Sequence, residues 1–227
     1  MSKIDKLDKW NGQQLAYIPL DQLVLWSENP RDPIDPDADN DAILDNALYG
    51  PRSAETWNLA SFASSMGELY DFSELPTVVA SDDDKFVVYD GNRRVATAMA
   101  KMRGLFDGQL SLPLFPEKFP CVICDKETAL QFVWRKHGEN GTWTAYDRDV
   151  FANRYMGKPK SVLVRIDELC GGITRNPVLN SQYARNEVLS DAHLAQMGLL
   201  PDVDDYGVSA ETLRDIIDEI SKAVSER

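Results

Sequence analysis

Cysteine is scarce in this chain: Cys121, Cys124 and Cys170 are its only three. An odd, small set does not make the disulfide framework of a small secreted domain, and it points to a reducing, cytoplasmic setting. Histidine is scarcer still. His137 and His193 stand far apart, a poor ligand set for a transition metal. No apolar run approaches the roughly 18 residues needed to span a bilayer, so no membrane partner is expected. Positive charge is also short, with 24 Lys and Arg against 37 Asp and Glu and a formal net charge of −13. Such a surface repels a phosphate backbone, because nucleic-acid affinity comes largely from cations displacing counterions. DNA contact is thereby restricted to a local groove. No internal repeat is visible.

Apolar residues are not lacking. They make up 43% of the chain, with five Trp, eight Tyr and eight Phe, enough for a packed core and unlike a disordered chain. A length of 227 residues suits one large domain, or one domain with a helical extension.

Ala16–Leu20 and Leu23–Leu25 read as a strand followed by a turn. Residues 28–46, rich in Asp, Asn and Pro, read as a loop. Their aspartates lack the spacing and closing Glu of an EF-hand, which favours a solvated loop over a calcium site. From Ser53 an amphipathic helix is expected, with Leu59, Phe62, Ala63 and Met66 at helical spacing and Gly67 as its stop. Thr77–Ala80 and Lys85–Tyr89 flank a turn at Asp82-Asp83-Asp84 and read as a hairpin. Asn92–Gly104 reads as a helix, Phe119–Cys124 as a strand and Lys126–Lys136 as a helix. Cys121 and Cys124 have C-x-x-C spacing, but they alternate within a buried strand pattern and no second Cys/His pair stands nearby. A core role is therefore favoured over zinc or redox chemistry.

After Trp143 the pattern becomes helical: residues 145–156, 160–169, 180–189, 191–197 and 209–224, with breaks at Gly157, Gly171-Gly172 and Pro201. The expected fold class is α/β (α+β). A small mixed sheet with helices occupies residues 1–145, and an α-helical extension occupies 146–227.

The segment Asp90-Gly91-Asn92-Arg93-Arg94 joins a strand to a helix start through a glycine. A helix N-terminus offers unpaired N–H groups and partial positive charge. Gly91 allows close backbone approach, Asn92 is a candidate cap, and Arg93 and Arg94 carry planar forks suited to phosphate. Together these make an anion site. The plain alternative pairs Arg93 or Arg94 with surface carboxylates and makes Asp90 a turn former bonded to its own backbone. Trp134-Arg135-Lys136-His137-Gly138-Glu139-Asn140-Gly141-Thr142-Trp143 sets two aromatics and three basic groups around a glycine turn. These either receive a base and phosphate, or are core Trp residues beside solvated cations.

The order of these motifs resembles the ParB/sulfiredoxin-like N-terminal domain family over residues 15–145. Glu28-Asn29-Pro30-Arg31 matches its Asn-Pro-(x)-Arg box. Leu59–Gly67 matches its L-A-x-S-I-x-x-x-G helix, and Pro76-Thr77-Val78-Val79 its next strand. Asp90–Arg94 matches the hallmark turn, Pro120–Ile123 a later strand, and Glu139-Asn140 an Glu-Asn pair. The resemblance implies CTP or ATP as ligand. Gly91, Asn92, Arg93 and Arg94 would contact phosphate, Arg31 would face the same cleft, and Glu139 and Asn140 would help hold Mg2+ or phosphate. The family's E-N-x-x-R arginine is absent, since Trp143 stands in its place.

The leading expectation is a ParB-like nucleotide-binding switch in a plasmid, mobile-element or defence setting, in which nucleotide closes a homodimer on DNA. No convincing helix-turn-helix is present; the stretch 180–198 carries only Arg185 as a basic residue. A second reading is a phosphohydrolase (an NTPase), kinase or nuclease, with Asp90 and Glu28 as catalytic carboxylates and Glu139 beside them. A third is a non-catalytic module whose acidic helices bind a protein partner, a reading that the missing arginine supports.

Overall fold

The computed structural model describes residues 9–226 apart from 31, 33, 51–52, 69, 72, 83, 107–111, 142, 171–175, 177, 180–182 and 197–209. Arg31, the expected breaks at Gly171-Gly172 and Pro201, and the start of the 180–189 helix lie outside the described residues. The chain forms two compact units, Met1–Arg135 and Lys136–Arg227.

The first unit opens with strands β1 (Lys9–Trp10) and β2 (Gln13–Pro19). Asn11 and Gly12 join them at φ 47° and 76°, the paired left-handed conformation of a tight hairpin, which Asn-Gly adopts readily. A single 3-10 turn, Leu20–Gln22, leads into β3 (Leu23–Leu25). Helix α1 (Asn40–Tyr49) follows.

Helix α1 corrects the sequence reading, which placed a loop as far as residue 46. The Asp39 carboxylate accepts the Asp41 and Ala42 N–H groups at 3.1 and 2.9 Å, capping donors that a helix start leaves orphaned. Ile43, Leu44 and Ala47 then fall on one buried face, and their burial outweighs the turn-forming tendency of the local Asp and Asn.

A π-helical turn, Ser53–Trp57, precedes α2 (Leu59–Met66). Asn58 between them has φ 42°, so the helix expected from Ser53 is broken in two. Gly67 ends α2 at φ 63° with its N–H bonded to Ser64 O, in line with the sequence reading. Strands β4 (Thr77–Ala80) and β5 (Phe86–Asp90) form the expected antiparallel hairpin. Helix α3 (Asn92–Met102), β6 (Lys118–Ile123) and α4 (Lys126–Val133) complete the unit.

The fold class is α/β. The six strands make one mixed sheet in the order β1-β2-β6-β4-β5-β3. β3 runs parallel to β5 and β4 parallel to β6, while the other pairs are antiparallel. Helices α1 and α3 pack on β3, and α4 packs on β4 and β5. Leu23, Leu25, Leu44, Val88, Val95 and Phe119 share one core cluster; each such side chain withdrawn from water contributes about 1.5–3 kcal/mol. Cys121 and Cys124 are buried free thiols, and burial pushes them up to about 12 and about 11. Both therefore hold their protons at neutral pH, as core residues do.

In the second unit, α5 (Ala145–Met156) begins with a capping box in which the side chains of Thr144 and Asp147 serve each other's backbone N–H. Helices α6 (Val162–Cys170), α7 (Asp191–Gln196) and α8 (Ala210–Ser225) follow, with a π-helical turn at Ala184–Val188. Leu163, Ile166, Leu179, Leu189, Leu194, Leu213 and Ile217 form its core. Among the described residues no helix is long and apolar enough to cross a membrane.

Candidate functional site

The parallel pairing of β3 and β5 brings their C-terminal ends to the same end of the sheet. The antiparallel partner β4 begins there too, with Thr77 opposite Asp90. Loops at the carboxyl ends of strands are where open α/β sheets place ligands. This end of the sheet carries Glu28 in the loop after β3, Asp90 as the last residue of β5, Gly91 and the first turn of α3 with Arg93 and Arg94, and Glu74 before β4. The pairing register shifts between Thr77 and Val78, which face Asp90 and Val88, so Tyr89 is the extra residue on β5 just before the turn, an irregularity that redirects side chains.

Gly91 is the N-cap of α3 and has φ 89°. A Cβ at this position would lie 3.1 Å from Pro76 Cα and 3.2 Å from its Cβ. The left-handed backbone and the close approach of Pro76, just before β4, both favour glycine. The cap is thus Gly91, and Asn92, which the sequence reading offered as the cap, turns into the protein instead. Asn92 is 5% exposed. Its Oδ1 accepts the Trp26 N–H at 2.9 Å, and its Nδ2 donates to Val88 O at 2.7 Å. These bonds hold the ends of β3 and β5 together and set the position of the following loop.

The two arginines have different surroundings. Arg93 is half-buried, with its guanidinium 4.7 Å from the centroid of the Phe62 ring on α2. Arg94 is 7% exposed. Its Nη1 donates to the Glu74 carbonyl oxygen, and its Nη2 lies 3.3 Å from Glu74 Oε2. The guanidinium also sits 5.8 Å from the Tyr70 ring centroid. Its buried Nε has no hydrogen-bond partner among the described residues. Tyr70 packs edge-on against Phe115 and Phe119, and burial raises its phenol to about 12 despite the opposing charge of Arg94. Arg94 is therefore a buried cation whose hydrogen bonds among the described residues go to Glu74, a residue with a 57% exposed side chain.

Of the carboxylates, Asp90 is half-buried at the end of β5. Burial raises the Tyr89 phenol, and the negative charge of Glu28, in the loop after β3, raises it further. Glu139 and Asn140 belong to the second unit, where both are exposed. In that unit the His137 ring stacks on Trp143 with centroids 5.7 Å apart, and Trp143 is buried against Phe151. Trp143 thus belongs to the core. Among the described residues no three His, Cys, Asp or Glu side chains converge as a cation site.

Two residues at this end of the sheet escaped the sequence reading. Asp32 Oδ2 accepts from Asn46 Nδ2 at 2.7 Å and from Trp57 Nε1 at 2.9 Å, tying the loop after β3 to α1 and the π-helical turn. The other is Glu74. Nothing local marks it, because its partner Arg94 lies 20 residues further along.

No family model and no curated protein matches this chain. Among solved structures, the chain is similar to the crystal structure of the C-terminally truncated chromosome-partitioning protein ParB from Caulobacter crescentus complexed with CTP-gamma-S. The TM-score is 0.34 and the identity 12%, over 92% of this chain and 99% of that chain. At that level no residue role passes from one chain to the other.

Proposed function

We propose that the first unit is a phosphate-binding module whose turn at Asp90–Arg94 receives the phosphate chain of a nucleotide, CTP or ATP. The single observation that carries this reading is Gly91. Its left-handed conformation opens an eleven-residue helix, α3, at the carboxyl end of the sheet. The first-turn N–H groups of such a helix have no acceptor within it, and the helix dipole favours negative charge there. Arg93 and Arg94 add cationic forks within the same turn. The motif resemblance favours a nucleoside triphosphate as the carrier of that phosphate. The reading is a ligand-dependent switch, with the nucleotide's differential contacts selecting one conformation over another.

A second reading is favoured by a specific observation: Arg94 is engaged by Glu74. In that reading the turn is structural and the chain is an interaction module. Isothermal titration with CTP, ATP and GTP, each with and without Mg2+, separates the two. Saturable binding that weakens at least tenfold in Arg93→Ala supports the nucleotide reading. No heat with any nucleotide supports the module.

A further inference from the structure

We infer that Glu74 is an internal competitor for the phosphate site, occupying Arg94 until an anionic ligand displaces it. This rests on the nucleotide reading above and adds the residue that governs access. Arg94 is nearly buried and fixed at the third position of α3, so its guanidinium has little freedom to move. Glu74 differs: its side chain is 57% exposed and sits in the loop that leads into β4. The mobile partner of the pair is therefore the carboxylate.

A carboxylate and a phosphate oxygen present the same chemistry to a guanidinium, namely charge-assisted acceptance of N–H. At 3.3 Å the Glu74 Oε2 contact is long for a charge-assisted bond, and Arg94 Nε has no partner among the described residues. The guanidinium is thus held but not saturated. Its other anchor, the Glu74 carbonyl oxygen, belongs to the backbone, so it survives when the carboxylate swings away. Asp71 is a second carboxylate in the field of this guanidinium; hydrogen bonds from Ser73 lower it most, and the Arg94 charge adds a smaller part. It bonds the Ser73 N–H and hydroxyl at 2.7 and 2.8 Å and does not contact Arg94.

Displacement has a direct consequence for ligand class. A single phosphate that replaces one carboxylate exchanges like for like and gains little. A phosphate chain gains further contacts with the helix start and Arg93, so the competitor discriminates in favour of chains.

The test measures binding of CTP and of inorganic tripolyphosphate to the full chain and to Glu74→Gln, Glu74→Ala and Arg94→Ala. Glu74→Gln keeps the volume and the backbone carbonyl contact, so it carries the test if Glu74→Ala does not fold. Because the Glu74 side of the pair is exposed to solvent, its carboxylate competes weakly; its removal is expected to tighten both probes about fivefold, and Arg94→Ala is expected to weaken them. Equal affinity in the full chain and both Glu74 variants overturns the competitor and leaves the nucleotide site standing. Failure of every protein, Glu74 variants included, to bind either probe overturns the nucleotide site and the competitor with it.

Discussion

The Asn92 carboxamide accepts the backbone N–H of Trp26 at 2.9 Å across 66 residues of chain, joining the helix start of α3 to the end of β3. The same side chain donates to Val88 O at 2.7 Å on β5. A residue whose type suggested ligand binding is therefore the clasp that aligns the two loops of the candidate site. Asn92→Ala orphans a buried donor and a buried acceptor, each costing about 1–3 kcal/mol. Urea unfolding is expected to show a loss of about 2–6 kcal/mol, and Asn92→Asp is expected to lose no less, because its second oxygen faces the Val88 carbonyl with no proton to donate.

Gly91→Ala combines two penalties. The left-handed backbone costs an L-residue about 1–2 kcal/mol, and the new methyl meets Pro76 at 3.1 Å. A loss of stability above that range, together with weakened nucleotide binding, is expected from parallel thermal-shift and titration measurements. A stable variant with unchanged binding contradicts this account of the turn.

Asp32 is expected to matter through the backbone it holds. Asp32→Ala removes the acceptor of Asn46 Nδ2 and Trp57 Nε1, a loss of about 3–6 kcal/mol for two hydrogen bonds to a charged group at about 1.5–3 kcal/mol each. The Trp57 indole N–H exchange rate is the local readout and should rise in the variant.

Alkaline pH is expected to weaken the first unit. Burial raises Cys121 to about 12 and Cys124 to about 11, from an ordinary value of 9.0. Below 9.0 both thiols are protonated in the folded and unfolded chain and contribute no pH dependence. As pH rises from 9.0 toward about 11, the unfolded chain sheds protons that the native state keeps, so stability falls. Urea midpoints across that range should fall more steeply in the natural chain than in Cys121→Ala/Cys124→Ala. Equal slopes contradict the burial of these thiols.

The sheet was legible in the sequence wherever side-chain pattern alone decides. The β4–β5 hairpin, the β6 strand with Cys121 within it and Cys124 just after it, and the Gly67 stop all follow from alternation and glycine placement. Helix α1 was hidden because Asp39, Asn40 and Asp41 favour turns as strongly as caps, and only the tertiary burial of Ile43 and Leu44 decides between them. The β1–β2 hairpin was missed although Asn11-Gly12 carries its turn signal, since two-residue β1 has no periodicity to detect. The turn at Asp90–Arg94 was legible as strand, glycine and helix. The inward set of Asn92 and the Arg94–Glu74 pair were not, because each depends on a partner distant in sequence that no local rule selects.

The most direct test of the central claim is amide chemical-shift mapping of 15N-labelled protein during titration with CTP and with ATP in the presence of Mg2+. The account predicts that the largest shifts fall on the Gly91, Asn92, Arg93 and Arg94 N–H signals. Shifts confined to other segments, or none at saturating nucleotide, contradict it.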